Sequence, residues 1–306
     1  MNRVLIAFAL SSFTGLIGCK LESNLDPNAV NGMNPPPPYP GGALGPQPPG
    51  PPIAPGHPLG CEIDTRQVVE SQGRFFEVLT SRGRLFEFEN GAPVQPGVGL
   101  PNFTFPQPGA IDLTTVPLYA QGPCAGHAPG TCAFDTQAFV VLPGSAHIRE
   151  YVTAFGRQWV FEGNTATGNA VPLDAIPRYD PICQLSYLTG GICTFDTRTF
   201  VKLDGILVES ITAYGRIWEF DIDGRPLPDT GIDLSSIPEY QVGPCAHSPP
   251  GQCVFETRTF EPLNGQLVET ITVNGFVYRY VPNGAPLPGS GVPIATAFHW
   301  ASGPCQ

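Results

Sequence analysis

The sequence predicts an all-β chain: four tandem antiparallel β-meander repeats, each stapled by disulfides. Three observations carry that expectation. A phrase opening on cysteine recurs four times: "CEIDTRQVVE" at Cys61, "CAFDTQAFVVL" at Cys132, "CTFDTRTFVKL" at Cys193 and "CVFETRTFEPL" at Cys253. Within the copies, apolar and polar residues alternate with the period of two that a strand requires, broken by turn pairs such as Asp204-Gly205 and Asn274-Gly275. The chain holds 37 Pro and 36 Gly but only 13% charged residues, a mixture that favours turns over long helices.

Ahead of the repeats, "MNRVLIAFALSSFTGLIGC" begins with a charge at Arg3, continues through an apolar stretch and ends on small residues, as an export signal requires. Its polar interruptions make it a poor bilayer span. The closing "LIGC", Leu16 to Cys19, resembles the lipobox of bacterial lipoproteins. That resemblance implies a signal peptide over 1–18, acylation of Cys19 and stable anchoring to a membrane, since two or more acyl chains suffice. Lys20 at the next position is similar to the sorting signal for the outer membrane. Residues 19–60 then form a Pro-rich tether with little to bury, "NPPPPYPGGALGPQPPGPPIAPGHPLG", expected to be extended and polyproline-like. At roughly 3.1 Å per residue its proline-rich part reaches about 80 Å.

The repeats run 61–124, 132–183, 193–245 and 253–305, the first enlarged by "VQPGVGLPNFTFPQPG". Each begins as a three-stranded meander. In the third, "CTFDTRTFVKL" turns at Asp204-Gly205 into "ILVESITAY", which turns at Tyr214-Gly215 into "RIWEF". In the fourth, Asn264-Gly265 and Asn274-Gly275 supply the positive φ angles of type I′ turns. The third strand carries two aromatics two residues apart in every copy: Phe86 and Phe88, Trp159 and Phe161, Trp218 and Phe220, Tyr278 and Tyr280. That spacing puts both on one face of the sheet, as core. "IDLTTVPLY", "LDAIPRY" and "IDLSSIPEY" suit short helical turns capped by Asp or Ser, and the fourth copy departs with "IATAFHW".

Apart from Cys19, eight cysteines remain in a chain that leaves the reducing cytoplasm: Cys61, Cys124, Cys132, Cys183, Cys193, Cys245, Cys253 and Cys305. They read as four disulfides. Metal ligation is disfavoured, because His127 and His247 between cysteines have no counterpart in "CQLSYLTGGIC" and no CxxC pair occurs. Two symmetric pairings are open. First-to-last bonding within each copy makes a linear array of four modules. Bonding across the boundaries leaves Cys61 for Cys305 and closes the array into a ring.

A Phe-Asp-Thr opening, a Gly turn, an apolar strand and then an aromatic strand, four times over, weakly resembles hemopexin-type four-bladed propellers. In that family a disulfide joins the first blade to the chain end, so the resemblance implies closure as a small propeller.

No GxSxG elbow, HExxH, P-loop or dinucleotide fingerprint occurs, and no cofactor is indicated. The net charge of −11 gives no cationic surface for nucleic acid. The recurring carboxylate, Asp64, Asp135, Asp196 and Glu256, would meet in a channel lined by first strands and there offer a cation site. The plainer expectation pairs each acid with the arginine two residues on, Arg66, Arg198 or Arg258, with Gln137 in repeat two. "DIDG", Asp221 to Gly224, reads as a turn. The expected function is a non-enzymatic binding or interaction module held at the bacterial envelope, presenting loops around His127 and His247 to an envelope protein or polysaccharide. The alternative is an envelope glycan hydrolase using paired carboxylates.

Overall fold

The computed structural model describes residues 63–71, 73–94, 110–142, 147–163, 165–203, 205–228, 230–263, 266–281, 284–296, 300 and 304–305. The expected signal peptide, Cys19, the tether, Cys61 and the first-repeat insertion after Val94 lie outside the described residues, as do Asp204 and Asn264-Gly265.

The described chain is four antiparallel sheets arranged as a four-bladed β-propeller. Blade 1 comprises β1 (Thr65–Ser71), β2 (Arg74–Ser81), β3 (Arg84–Glu89) and two short edge strands, β4 (Ala92–Pro93) and β5 (Ile111–Asp112). Blade 2 comprises β6 (Thr136–Val141), β7 (Ile148–Ala154), β8 (Arg157–Glu162), β9 (Thr165–Ala166) and β10 (Val171–Pro172). In blade 3, β11 (Thr197–Leu203), β12 (Ile206–Ala213) and β13 (Arg216–Asp221) are edged by β14 (Ile232–Asp233). In blade 4, β15 (Thr257–Leu263), β16 (Gln266–Val273) and β17 (Phe276–Tyr280) are edged by β18 (Val292–Pro293).

The first strands close the ring: β1 packs against β6 and β15, and β11 packs against β6 and β15. The linear array of modules is therefore excluded. Because these strands touch neighbours on both faces, their polar positions are buried too, Arg198 at 1% exposure among them. The half-exposed strand that simple alternation describes is not what forms.

Local chemistry explains the recurring turns. Tyr214 and Gly215 have φ of 54° and 70°, and Asn274 and Gly275 have 52° and 77°, the two positive values of a type I′ turn. Arg82-Gly83 and Phe155-Gly156 do the same in blades 1 and 2. Gly83 has a second reason: a Cβ there would lie 2.6 Å from the Gly130 carbonyl carbon, where the 124–132 linker lies over the turn. After the third strand, Asp112 and Asp233 accept from the backbone N–H of Thr114 and Ser235, capping 3-10 turns at Leu113–Thr115 and Leu234–Ser236. Pro117 and Pro238 then start the short helices α1 (Pro117–Ala120) and α3 (Pro238–Gln241). "IATAFHW" keeps the 3-10 turn at Ile294–Thr296.

The second link differs. Cys183 lies inside a ten-residue helix, α2 (Asp180–Thr189), ended by Gly190 at φ 69°. Composition had pointed away from helix, and nothing in the strand pattern marks this one.

Three disulfides cross the repeat boundaries, Cys124–Cys132, Cys183–Cys193 and Cys245–Cys253, with Cα separations of 5.4, 4.9 and 5.3 Å. First-to-last pairing inside each repeat is thereby overturned: each bridge ties the end of one blade to the start of the next. Cys305 is also disulfide-bonded.

Candidate functional site

The repeated phrase builds the channel one residue at a time. Its acid donates its backbone N–H to the second strand: Asp64 to Thr80, Asp135 to Thr153, Asp196 to Thr212 and Glu256 to Thr272. The next residue, threonine, pairs its hydroxyl with a threonine on that strand in all four blades, at 2.7 to 2.8 Å. The third residue, Arg66, Gln137, Arg198 or Arg258, is buried against the second strand and the neighbouring blade.

The structure does bring Asp64, Asp135, Asp196 and Glu256 together around one channel, with the threonines and the third residues behind them. The space they share is about 10 Å³, room for one water. Side chains fill the remainder: Gln67 of blade 1 donates to the Arg198 carbonyl of the opposite blade at 2.8 Å and accepts from Thr199 at 3.4 Å. Among the described residues no three His, Cys, Asp or Glu side chains are placed to hold a metal ion together. Burial pushes the Asp135 carboxyl up to about 6, and burial together with the Asp135 charge pushes Asp196 up to about 7.

The expected pairing of each acid with the arginine two residues on is corrected. Arg66 pairs with Glu77, Arg198 with Glu209 at 2.6 Å and Arg258 with Glu269 at 2.5 Å, all glutamates of the second strand. Register explains why. Arg198 stands opposite Ile211 and Phe200 opposite Glu209, so arginine and glutamate are diagonal neighbours on one face, while the acid lies beyond the strand end.

A third member arrives from the preceding blade. Tyr119, Tyr179 and Tyr240, each fully buried after a Pro-x step, donate to Glu150, Glu209 and Glu269 at 2.7, 2.6 and 2.6 Å. Trp300 takes this place at the closing seam, its indole N–H donating to Glu77 at 3.2 Å. The same tyrosines meet Phe134, Phe195 and Phe255 of the next blade edge-on, with ring centroids 5.1, 5.0 and 5.3 Å apart. Every seam thus carries an aromatic and glutamate pair, and three of the four add arginine. Both residue types recur at fixed positions in the repeats, a signal that sequence reading passed over.

Blade 2 is the exception. Gln137 donates to Glu150 at 2.6 Å and to the Tyr119 hydroxyl at 3.0 Å but brings no charge. Burial therefore dominates, and Glu150 is pushed up to about 7 despite both hydrogen bonds. At Arg66 burial opposes the charge, yet Glu77 and Glu261 outweigh it and hold the guanidinium above its usual value.

Of the loop histidines, His127 stacks on Phe155 with centroids 5.1 Å apart, so it is partly committed to packing, whereas His247 is exposed. Asp221 to Gly224 is a turn: the Asp221 carbonyl accepts from Gly224 N–H, and its carboxylate from Arg225 N–H.

No family model and no curated protein matches the chain. Among solved structures it shows weak resemblance to hemopexin-fold four-bladed propellers. The hemopexin fold protein CP4 from cow pea gives a TM-score of 0.49 at 9% identity, covering 78% of this chain and 96% of that one. A plant lectin with two metal binding sites from Cicer arietinum gives 0.47 at 8%, with coverages of 78% and 96%. A thermostable family-43 glycoside hydrolase gives 0.36 at 12%, with coverages of 74% and 70%.

Proposed function

We propose that this chain is a lipid-anchored bacterial envelope protein whose propeller serves as a non-enzymatic binding or interaction module at the end of a Pro-rich tether. The anchoring part rests on the export signal and "LIGC" at Leu16 to Cys19, and Lys20 favours the outer membrane. The non-enzymatic part is supported by one observation: the space shared by the four carboxylates of the channel is about 10 Å³, room for one water and not for a sugar ring. Binding then falls to the outer surfaces, including the linkers around His127 and His247, with an envelope protein or polysaccharide as partner and nucleic acid disfavoured by the charge of −11. Among the described residues no helix is long and apolar enough to cross a membrane.

A glycan hydrolase is the second reading, favoured by the interacting pair Asp135 and Asp196, whose raised carboxyls suit proton transfer near neutral pH. The two readings separate cleanly. Metabolic labelling with an alkyne fatty acid should mark the protein and lose the mark in Cys19→Ser, and an unlabelled wild type would refute anchoring. Glycan digestion that disappears in Asp196→Asn, with the fold intact, would establish the hydrolase instead.

A further inference from the structure

Among the described residues the three seams between consecutive blades share one plan, and the middle one is left open. Between blades 2 and 3 lies a groove of about 550 Å³, lined by Pro177, Arg178, Pro181, Trp218, Phe220 and Pro226 among others. That volume is in the range of small-molecule sites. At the seam of blades 1 and 2, Gly122 sits against the Trp159 indole, where a Cβ would lie 3.3 Å from Cδ1. At the seam of blades 3 and 4, Gly243 covers Tyr278 in the same way, at 3.5 Å. Both glycines belong to Gly-Pro-Cys turns. After Tyr179 the chain enters α2 instead of a Gly-Pro-Cys turn; Gly231 lies against the six-membered ring of Trp218, whose indole Nε1 is buried without a hydrogen-bond partner among the described residues.

The groove also holds a surplus positive charge. Arg178 and Arg198 share the single carboxylate of Glu209, at 3.2 and 2.6 Å, and both donate to the Tyr179 hydroxyl, at 2.9 and 2.8 Å. Nη2 of Arg178 is held by the Tyr179 hydroxyl, Nε lies at ion-pair distance from Glu209 without a hydrogen bond among the described residues, and Nη1 stands beside Gly224. The residues at the position of Arg178 in repeats 1, 3 and 4 are Leu118, Glu239 and His299, so this is the one seam that places an arginine there. Asp223 at the rim is exposed and 3.6 Å from Arg225.

We propose that this groove is a binding site for a small organic carboxylate with a flat apolar body, the carboxylate accepting from Arg178 Nη1 while the body lies against the Trp218 ring, the prolines and Phe220. Two guanidinium groups sharing one carboxylate leave a net positive charge that asks for an oxyanion, and the largely apolar walls ask for a hydrophobic remainder. The site is independent of the lipid anchor and of the channel acids, so its failure leaves the proposed function standing.

The probe is 2-naphthoate, with neutral 2-naphthamide as its isostere, titrated into the ¹⁵N-labelled oxidised full-length protein. The indole N–H cross-peaks of Trp159, Trp218 and Trp300 are followed and assigned with Trp218→Phe. The expected result is a saturable shift of the Trp218 peak alone, with at least tenfold weaker binding of the amide. Arg178→Leu, which installs the repeat-1 residue, should weaken naphthoate at least tenfold at unchanged far-UV circular dichroism. Should that variant misfold, the acid and amide comparison on the wild type still decides. No shift at millimolar naphthoate, equal affinity for the amide, or undiminished binding to folded Arg178→Leu would overturn the assignment.

Discussion

Glu150→Gln isolates the charge that blade 2 lacks. Glu150 is 2% exposed and has no cationic partner among the described residues, and its carboxyl stands at about 7 against an ordinary 4.5. The folded value lies above the unfolded one, so the group's stabilisation is complete below pH 4.5 and is lost as pH rises through about 7. A gap of this size, at about 1.4 kcal/mol per unit, means that ionising Glu150 costs the folded state about 3 kcal/mol by pH 8. Glutamine keeps an oxygen to accept from Tyr119 and Gln137, and places its amide where Glu150 Oε2 has no partner among the described residues. That amide is a penalty common to every pH. Urea unfolding of the oxidised protein should therefore find the variant gaining about 2.5 kcal/mol on the wild type between pH 5 and pH 8, whatever the offset at pH 5. Asp135 and Asp196 titrate in the same window but are present in both proteins and drop out of the comparison. A difference that is flat with pH, or that favours the wild type as pH rises, would refute the account of Glu150 as a buried acid without a counter-charge.

Trp300→Ala removes a fully buried ring from the closing seam and should cost about 3–5 kcal/mol in urea unfolding. Arg258→Met leaves Glu269 buried with Tyr240 as its described partner and should cost about 3–5 kcal/mol by the same assay, the penalty for stranding a buried charge. Peptide mapping without reduction should return Cys124–Cys132, Cys183–Cys193 and Cys245–Cys253, with Cys305 linked to Cys61. Because that last link would close nearly the whole folded region, Cys305→Ser should cost about 5 kcal/mol, against about 3 for opening one of the short loops.

How much of this was legible depended on how far apart the interacting residues lie. Turn pairs such as Asn274-Gly275 and the cap at Asp233 are local and could be read directly. The boundary-crossing disulfides were one of two symmetric solutions, and only the ring selects between them. The glutamate partner of each arginine was within reach: pairing Leu203 with Ile206 sets Arg198 opposite Ile211, and Glu209 follows as the diagonal neighbour. What misled was treating two residues of one strand as partners when the hairpin offered a closer one. The tyrosines could not be placed from one repeat, because each acts on the following blade. The open groove was invisible for a related reason: it exists where α2 replaces a turn, and the missing contact has no sequence of its own.

The seams also differ in what connects them. Blades 1 to 4 follow one another along the chain, so three seams are held by continuous backbone and a local disulfide, and their closure costs little chain entropy. The seam between blades 4 and 1 brings together residues some two hundred positions apart and must recover that entropy from contacts. It is there that Arg66 reaches two carboxylates, Glu77 of its own blade and Glu261 of blade 4, with a further hydrogen bond to Thr259 at 2.5 Å. It is also there that the recurring tyrosine becomes Trp300, whose larger ring packs with Leu79, Phe86 and Phe88 on one side and Val277 and Ile294 on the other. The apparent irregularity of "IATAFHW" follows from this: the fourth repeat departs from the others because its neighbour is the first blade, and that contact has no peptide linkage to help it form.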